Sequence, residues 1–590
     1  MKAGRLVSMI VLIVAVAALG IFLNGYDEVF SDLSDDTVSD NETVNFADDS
    51  SGNNISDNYA LYENDDPYDV VTMYLTVREG NDAENTYHTW KEINSYSAYD
   101  YDNMGVDRYM ALALLQVGNE YGPSKGELGY GETAPNATVQ IRGQTSTLYN
   151  QKNYKIELKD NKGDYNGQTT IALNKHENDG LRFRNKLCYD LMTGIDEMMS
   201  LRTQFVHLYV NDLTDGSDDG FEDYGLYTQV EQLNKTALKV HGLNKNGYLY
   251  KVNYCEFYRY DDVIKLSSDS DYDKDLFEDY LEIKGREDHA KLIAMLEDVN
   301  DYSIPIETVI EDHFNMENLT YWMAFHILTG NVDTSSRNFY IYSPLNADTW
   351  YLYSWDNDDS FMFNENKMRG HIEYGGWQSG VSNYWGNVLF QRCLKSENFR
   401  KALDAAIRDE LSYMSSDRLT EMIENYKSVV KPYTYSGVDL IYAPLSSEEY
   451  DELIGLIPTE PEYYYQEYLN SMNRPQPFFI GSISYEDGKI ITNWDPSYDF
   501  DSETITYTVK IATDYELNNV VATFDGVWTD IEEEVSLERG RQYFLNVTAT
   551  NESGYSQGAF DYYIANDNYY YGMKSFYINL DGSVIEDYYD

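Results

Sequence analysis

Apolar and polar positions alternate in more than one way along the chain. From Val70 to about Pro432, alternating apolar residues predict strands, and an apolar residue at every third or fourth position predicts helices. The predicted strands lie at 70–77, 137–143, 153–158, 203–210 and 224–231, and the predicted helices at 181–192, 288–299, 316–330 and within 388–430. Because strands dominate first and helices later, we expect an α+β domain over 68–432, with a sheet-rich lobe followed by a helix-rich lobe.

A second pattern begins beyond this domain. Helical periodicity continues over 433–474, where Ser446 and Glu449 have the spacing of a capping box, so we expect a helical connector. Short alternating strands return after 473–477, with Trp494 in an early strand and Tyr543 near the start of a later one. On these residues, 475–566 resembles a fibronectin type III module, an all-β sandwich. The segment 567–590 is either a last hairpin or a loose tail.

The first 67 residues differ from the rest of the chain in their distribution of apolar and acidic residues. Lys2 and Arg5 precede the uncharged run 6–23, whose eighteen residues border on the length of about 20 that spans a membrane. Residues 1–25 are therefore a signal peptide or an N-terminal membrane anchor, with the anchor favoured, and the positive flank predicts export of the rest. Residues 26–67 are rich in Asp, Ser and Asn and predict a disordered acidic spacer. The expected location is the extracellular face of the membrane or the medium.

The charge balance narrows the possible partners. The 590 residues carry 43 Lys and Arg against 101 Asp and Glu, a formal net charge of −58. Binding to nucleic acid polymers or anionic lipids depends on cations, so neither is an expected partner, and membrane contact is expected through the N-terminal segment only. Cys188, Cys255 and Cys393 are too far apart in sequence for a disulfide framework or a zinc-site spacing.

The segment 329–363 has the clearest chemistry. A predicted helix ends at Gly330, a loop presents Asp333 and, five positions later, Asn338, and a predicted hairpin then leads to Asp356. Protein kinases place these residue types in this order, the first Asp beside the attacking hydroxyl and the other two as magnesium ligands. Oxygen ligands suit magnesium, and no His or Cys cluster in the sequence competes for a softer metal.

The segment 329–363 has two other interpretations. In one, Asp333 caps a turn and 356–359 is a solvated acidic loop. An EF-hand does not fit, because position six is Phe361 rather than Gly and position twelve is Lys367 rather than Glu.

Four sequence blocks follow one another between about 70 and 430. They are IRGQTSTLYNQKNYKIEL at 141–158, LRFRNKLCYDLM at 181–192, YGLYTQVEQLNK with GYLYK at 224–235 and 247–251, and GNVDTSSRNFYIY with WYLYSWDNDDSF at 330–342 and 350–361. Together they resemble the CotH family of atypical secreted kinases. The resemblance implies a bilobal kinase-like fold that uses ATP and Mg²⁺ or Mn²⁺ to phosphorylate Ser or Thr of surface or coat proteins.

The resemblance also assigns roles around the metal. Asp333 corresponds to the catalytic aspartate of the family, and Asp356 to its metal-binding aspartate. Asn338, in the R-N-x-Y block, becomes the second metal ligand. Asp358 is either a further ligand or a residue that shapes the loop.

The residues that the resemblance assigns to the nucleotide are Arg142, Gly143, Ser146, Lys152, Lys155 and Glu231. The glycine allows a close backbone approach, and the arginine or the serine hydroxyl meets phosphate. One of the two lysines neutralises the phosphates, and Lys152 is preferred. Glu231, with Tyr227 and Val230, either lines the adenine pocket or belongs to a plain core strand.

The chain departs from ordinary kinases. It has no H-R-D, D-F-G or G-x-G-x-x-G motif, and the helix 181–192 has no glutamate to pair with a phosphate-binding lysine. A non-catalytic surface protein that binds through tyrosine-rich faces is the alternative function. A glycoside hydrolase is a weaker one, because no spacing singles out a pair of carboxylates.

Overall fold

The computed structural model of the protein describes residues 57–63, 65–371, 376–566 and 568–587. The α-helices of these residues are α1 (Trp90–Ile93), α2 (Ala98–Met104), α3 (Arg184–Met192), α4 (Lys235–Val240), α5 (Lys274–Glu278), α6 (Ala290–Asn300), α7 (Ile306–His313), α8 (Met316–Thr329), α9 (Phe363–Met368), α10 (Val388–Lys395), α11 (Glu397–Tyr413), α12 (Ser416–Thr434), α13 (Ser447–Leu456) and α14 (Glu460–Asn473).

The strands of the two lobes are β1 (Val70–Arg78), β2 (Ala111–Asn119), β3 (Gly122–Pro123), β4 (Ala137–Arg142), β5 (Asn153–Leu158), β6 (Thr170–Asn174), β7 (Thr203–Asp212), β8 (Glu222–Glu231), β9 (Tyr248–Val252), β10 (Leu281–Ile283), β11 (Phe339–Ser343) and β12 (Tyr351–Ser354). Those nearer the C-terminus are β13 (Ser484–Glu486), β14 (Lys489–Asn493), β15 (Thr506–Ala512), β16 (Val520–Val527), β17 (Asp530–Glu534), β18 (Arg541–Thr550), β19 (Ser556–Gly558), β20 (Tyr562–Ala565), β21 (Asn568–Tyr571), β22 (Met573–Ile578) and β23 (Val584–Glu586).

The first lobe is a sheet that closes on itself. Its strand order is β1-β7-β8-β6-β5-β4-β2-β3, and β1 also pairs with β2. Side chains such as Leu75 and Ile156 fill the interior, because successive residues of a strand point to opposite faces. Arg142 and Asn153 are paired across β4 and β5, and both line the cleft between the lobes, as does Asn174 at the end of β6.

The second lobe packs helices around a sheet with the strand order β10-β9-β11-β12. β11 and β12 form an antiparallel hairpin that pairs Phe339 with Ser354. Helix α8 is buried along most of its length, with Trp322 and Phe325 fully buried. A helix that is apolar on nearly every side belongs to the core, so the loop that follows α8 begins from a fixed point.

Residues beyond α12 return to the first lobe and join it to the second. Asp439 Oδ1 lies 2.7 Å from Lys175 Nζ, and Asp439 Oδ2 accepts a hydrogen bond from the amide of Leu226 at 3.1 Å. Both charged side chains are buried, so this contact is little screened by salt. Residues 433–474 therefore pack as part of the same body as the two lobes.

A C-terminal β module follows, over 475–566 and 568–587. Its facing sheets have the strand orders β13-β14-β17 and β16-β15-β18-β22-β23, and β20 and β21 form a separate hairpin. Trp494, beside the first sheet, shares one core with Leu545 and Phe576 of the second, as in a β-sandwich. The module packs on the second lobe, where the Tyr498 and Trp385 rings lie 5.2 Å apart. The likeness to fibronectin type III stays a prediction.

The predictions for the two ends of the chain can be compared with the described residues only in part. The acidic spacer, predicted over 26–67, includes Asp57, which is buried and accepts a hydrogen bond from His241 Nδ1 at 2.5 Å, so this end of the segment is packed. The predicted tail supplies β21 to β23, which favours the hairpin alternative. The segment 1–25 lies outside the described residues. Within the described ranges, no helix is both long enough and apolar enough to cross a membrane.

Candidate active site

The loop between α8 and β11 presents Asp333 and Asn338. Helix α8 ends at Gly330, whose φ is +65°, and a Cβ there would lie 1.9 Å from the ring of Tyr464, so only glycine fits. Asn338 Nδ2 donates a hydrogen bond to Asp333 Oδ2 at 2.7 Å, and Arg337 Nε lies 3.4 Å from Asp333 Oδ1. These contacts orient the Asp333 carboxylate and turn the carboxamide oxygen of Asn338 away from it.

The hairpin brings Asp356 beside this loop. The amide of Trp355 donates to the carbonyl of Asn338 at 3.1 Å. Asn338 and Asp356 have φ angles of +59° and +56°, a conformation that residues other than glycine adopt mainly where surrounding contacts hold them. Asp333, Asn338 and Asp356 line one cleft with a cavity volume of about 590 Å³. That volume lies within the range of small-molecule sites.

Helix α3 holds the loop that follows Asp356. Asn185 Oδ1 accepts a hydrogen bond from the amide of Asn357 at 3.1 Å. Arg184 Nε donates to the carbonyl of Phe361 at 3.2 Å, and Arg184 Nη2 lies 2.6 Å from a carboxylate oxygen of Glu365. Asn185 and Arg184 thus link this helix to the acidic loop.

The first lobe covers the cleft with the turn that follows β4. Gly143 has a φ of +89°, and a Cβ there would lie 2.0 Å from Ser146 Oγ. Arg142, Gly143 and Ser146 all line the cleft. These three predicted residues are therefore placed together and face Asp333 and Asp356 across one cavity.

Two cations meet beside the acidic loop. Arg142 Cζ lies 6.0 Å and Lys251 Nζ 5.7 Å from the centroid of the Trp355 ring. Both cations are buried and line the cleft, and the Arg142 guanidinium donates to Asn174. Cations over an indole face are attracted by its quadrupole. Because Trp355 directly precedes Asp356, positive charge lies next to the acidic loop, as a bound polyphosphate with its metal requires.

The carboxylates in the cleft suit a metal ion that takes only some of its ligands from the protein. Burial and the charge of Asp333 raise the pKa of Asp359 to about 8, and the Asp358 side chain is 44% exposed at the cleft. In the described part of the chain, no group of three or more His, Cys, Asp or Glu could hold a metal ion alone. Magnesium takes one or two carboxylates and completes its shell with phosphate oxygens and water, so this donor set fits it.

Residues 139–460, more than half of the chain, match the family described as CotH kinase protein. The chain belongs to the CotH kinase family. The match runs from β4 to the start of α14 and so includes β4 to β8 of the first lobe, the second lobe and most of the helical connector. No curated protein matches the chain. A solved complex of the Shewanella oneidensis MR-1 toxin–antitoxin system HipA, HipB and its operator DNA aligns with 60% of this chain and 67% of that chain at 11% identity, and its TM-score of 0.18 supports no inference.

The structure places both lysines that were assigned to the phosphates outside the lining of the cleft. Lys152 Nζ donates to the backbone carbonyls of Thr147 and Tyr149 at 2.5 and 2.7 Å, so Lys152 holds the turn after β4 in shape. Lys155 lies on β5 and is paired with Glu157 at 3.0 Å. Neither lysine is among the residues that line the cleft, whereas Lys251 is. Lys251 belongs to the block GYLYK, which carries part of the CotH resemblance. Its strand is buried along its whole length, and the sequence pattern does not indicate that this lysine faces a cleft.

Glu231 also lies outside the lining of the cleft. It is fully buried, with Arg202 Nη2 at 2.5 Å and His241 Nε2 at 2.8 Å. Burial opposes its ionisation, but hydrogen bonds from His241 and Arg202 outweigh this and lower the pKa of Glu231 to about 2. Glu231 therefore fixes the end of β8 and does not line the cleft. Of its predicted companions, Val230 lines the cleft and Tyr227 does not.

Proposed function

We propose that this CotH family member is an exported, metal-dependent protein kinase that transfers the γ-phosphoryl group of ATP to Ser or Thr of surface or coat proteins. The observation that supports this most is the meeting of Asp333, Asn338 and Asp356 in one cleft with Arg142 and Lys251. The first three supply the base and the metal ligands of phosphoryl transfer, and the two cations supply the charge that phosphates need.

Asp333 acts on the acceptor in this proposal. Its carboxylate, oriented by Asn338 and Arg337, accepts the proton of the acceptor hydroxyl as the bond between that oxygen and the γ-phosphorus forms. The bond between the γ-phosphorus and the bridging oxygen breaks, and its electron pair leaves with ADP. Arg142 and Lys251, which are already held in place, stabilise the charge that develops on the phosphate oxygens.

The divalent ion, when bound, neutralises charge on the nucleotide phosphates. Asp356 and the carboxamide oxygen of Asn338 would hold it, with Asp358 at the mouth of the cleft as a further ligand. The hydrogen bonds from α3 keep the backbone of this loop in position whether or not the ion is present. Asn185 and Arg184 are thus positioning residues.

Label transfer from ATP and thermal stabilisation by nucleotide test the proposal together. With Mg²⁺ or Mn²⁺, ATP at a hundred times its Kd should stabilise the protein by about 2.7 kcal/mol, and without a divalent ion by much less. Asp333→Asn should abolish transfer but keep the stabilisation, whereas Asp356→Asn should lose both. Asp261→Asn is the matched control, because the Asp261 side chain is 82% exposed. A folded wild-type protein that shows neither transfer nor stabilisation would leave the non-catalytic surface protein as the better function.

A further inference from the structure

One wall of the cleft comes from outside the kinase-like lobes. We call it the aromatic wall, and it consists of Trp377 from the second lobe and Phe479, Phe560, Tyr562, Tyr569 and Tyr571 from the C-terminal β module. Neighbouring rings along this series, in the order Phe479, Phe560, Trp377, Tyr571, Tyr562, Tyr569, have centroids 4.7, 5.2, 5.3, 5.8 and 5.4 Å apart. These are separations of interacting aromatic pairs, so the wall is one preformed surface.

The hairpin β20–β21 builds half of the aromatic wall. It pairs Tyr562 with Tyr571 and, on the next position, Tyr563 with Tyr570. Tyr563 and Tyr570 pack in the module beside Phe544. Because side chains alternate along a strand, one face of the hairpin anchors it and the other face lines the cleft.

The aromatic wall lies next to the catalytic loop. A Cβ on Gly386 would lie 3.5 Å from the ring of Phe560. Arg337, which is paired with Asp333, lines the same cleft as Tyr562. The turn after β4, in contrast, belongs to the first lobe and carries the residues for the phosphates. The aromatic wall therefore borders the side of the cleft where an acceptor hydroxyl has to reach Asp333.

Two polar atoms beside the aromatic wall lack partners. Trp377 Nε1 and Gln378 Oε1 are shielded from solvent and make no hydrogen bond with any described residue, and both side chains line the cleft. One of these atoms donates and the other accepts, so the pair complements the carbonyl and the amide of a peptide group. A buried polar atom without a partner is costly, and a bound main chain would remove that cost.

We propose that the aromatic wall binds the acceptor polypeptide as an extended segment and selects a large apolar or aromatic side chain next to the Ser or Thr. Aromatic rings offer apolar area and stacking to such a side chain. The inference rests on the proposed kinase function and makes the C-terminal β module part of the acceptor site.

The experiment uses the full chain and three synthetic acceptor peptides that differ only beside their serine, where they carry Phe, Ala or Lys. Wild-type protein should phosphorylate the Phe peptide with the lowest KM. Tyr571→Ala should raise that KM about tenfold, the change that a loss of about 1.4 kcal/mol of binding free energy gives, and should abolish the preference for Phe over Ala. Tyr571→Phe keeps the ring and should restore both. Trp528→Ala is the control, because Trp528 is 75% exposed on the same module and does not line the cleft.

The KM for ATP and the stabilisation by nucleotide separate this inference from the proposed function. Both should be unchanged in Tyr571→Ala. If wild-type protein phosphorylates the peptides but Tyr571→Ala keeps the wild-type peptide KM, or if the Lys peptide is preferred, the inference is overturned and the kinase function stands. If Trp528→Ala has the same effect as Tyr571→Ala, the inference is overturned too. If wild-type protein neither transfers phosphate nor is stabilised by nucleotide, both fall.

Discussion

Replacing Arg184 should weaken the protein and loosen the loop that follows Asp356. Arg184 is fully buried, and its guanidinium pairs with Asp179 and Glu365 and donates to the carbonyl of Phe361. Burial disfavours its charge, but the carboxylates outweigh burial and raise the pKa of Arg184 above its ordinary value. Arg184 thus compensates buried negative charge and fixes the backbone of the loop that follows Asp356.

Arg184→Met keeps the volume of the side chain and removes the charge. It removes the cation beside Asp179 and leaves Glu365 paired with Arg369, and breaking a buried pair in this way costs about 3–5 kcal/mol. A typical domain has an unfolding free energy of only about 5–15 kcal/mol, so the loss is a large fraction of the total. Adding Glu365→Gln to the same chain should recover part of it, because one of the two buried carboxylates that lost the Arg184 cation is then gone.

Urea unfolding, with and without ATP and Mg²⁺, measures both effects. Arg184→Met should shift the midpoint to lower urea, and Arg184→Met with Glu365→Gln should shift it part of the way back. The nucleotide-induced shift should stay small in both, because the carbonyl of Phe361 has lost its donor in either variant. Arg541→Met is the control on an exposed arginine. A single variant within about 1 kcal/mol of wild type, or a double variant weaker than the single one, would refute the reasoning.

Three further predictions concern the pH dependence of stability and the turn that follows β4. Burial raises the pKa of Glu410 well above its usual value, and neither of its carboxyl oxygens has a hydrogen-bond partner among the described residues. The free energy of unfolding should therefore fall by about 1.4 kcal/mol per pH unit above the ordinary pKa of 4.5. When unfolding is measured at pH 5 to 7, the stability of Glu410→Gln relative to wild type should rise steadily, and parallel pH curves would contradict this. Burial lowers the pKa of His241, but hydrogen bonds to two carboxylates outweigh this and raise it from 6.5 to about 9. The contribution of His241 to folding stability is therefore complete below pH 6.5 and is lost as the pH rises through 9. In thermal unfolding, the stability of His241→Gln should decline less steeply over that pH window than the stability of wild type. Gly143→Ala should weaken ATP binding tenfold or more in a titration, because its Cβ would meet Ser146 at a positive φ, whereas Gly131→Ala has a positive φ but open space and should bind ATP normally.

The elements that carry the candidate site could be predicted because their signals are local. The spacing from Asp333 to Asn338 and the hairpin before Asp356 lie within one short segment, and the strands predicted at 339–342 and 349–355 correspond to β11 and β12. The apolar period that predicted a helix at 316–330 corresponds to α8. The match to the CotH kinase family confirms the resemblance that these blocks carried.

The lysine that lines the cleft could not be predicted in the same way. A lysine amine lies several bonds from its backbone, so its direction depends on what surrounds it. Lys152 donates hydrogen bonds to two carbonyls of its own turn, whereas Lys251 is held in a wholly buried strand by neighbours that are distant in sequence. The position of Glu231 away from the cleft could not be predicted for a related reason, because its partners Arg202 and His241 come from other elements.

The role of the C-terminal β module is also a matter of tertiary contact. The tyrosine run 569–571 predicts that neighbouring rings point to opposite faces of a strand, but it does not say which face is covered. In the structure, Tyr570 faces the core of the module, while Tyr569 and Tyr571 face a cleft whose other walls lie up to several hundred residues earlier. Since the family match ends at residue 460, the five members of the wall that come from the C-terminal β module lie outside the region that the CotH resemblance describes.

The strong negative charge of the chain affects how the cleft could bind a nucleotide. With a net charge of −58, the protein as a whole repels a nucleotide, so the proposed binding of ATP would depend on cations placed where the surroundings are buried and charges act strongly. Arg142 and Lys251 provide two such charges beside Trp355, and the acidic loop beginning at Asp356 provides oxygen ligands for a divalent ion. Phosphates need that ion to approach the carboxylates, and the ion needs phosphate oxygens to complete its shell. Nucleotide and metal should therefore enter this cleft as one unit.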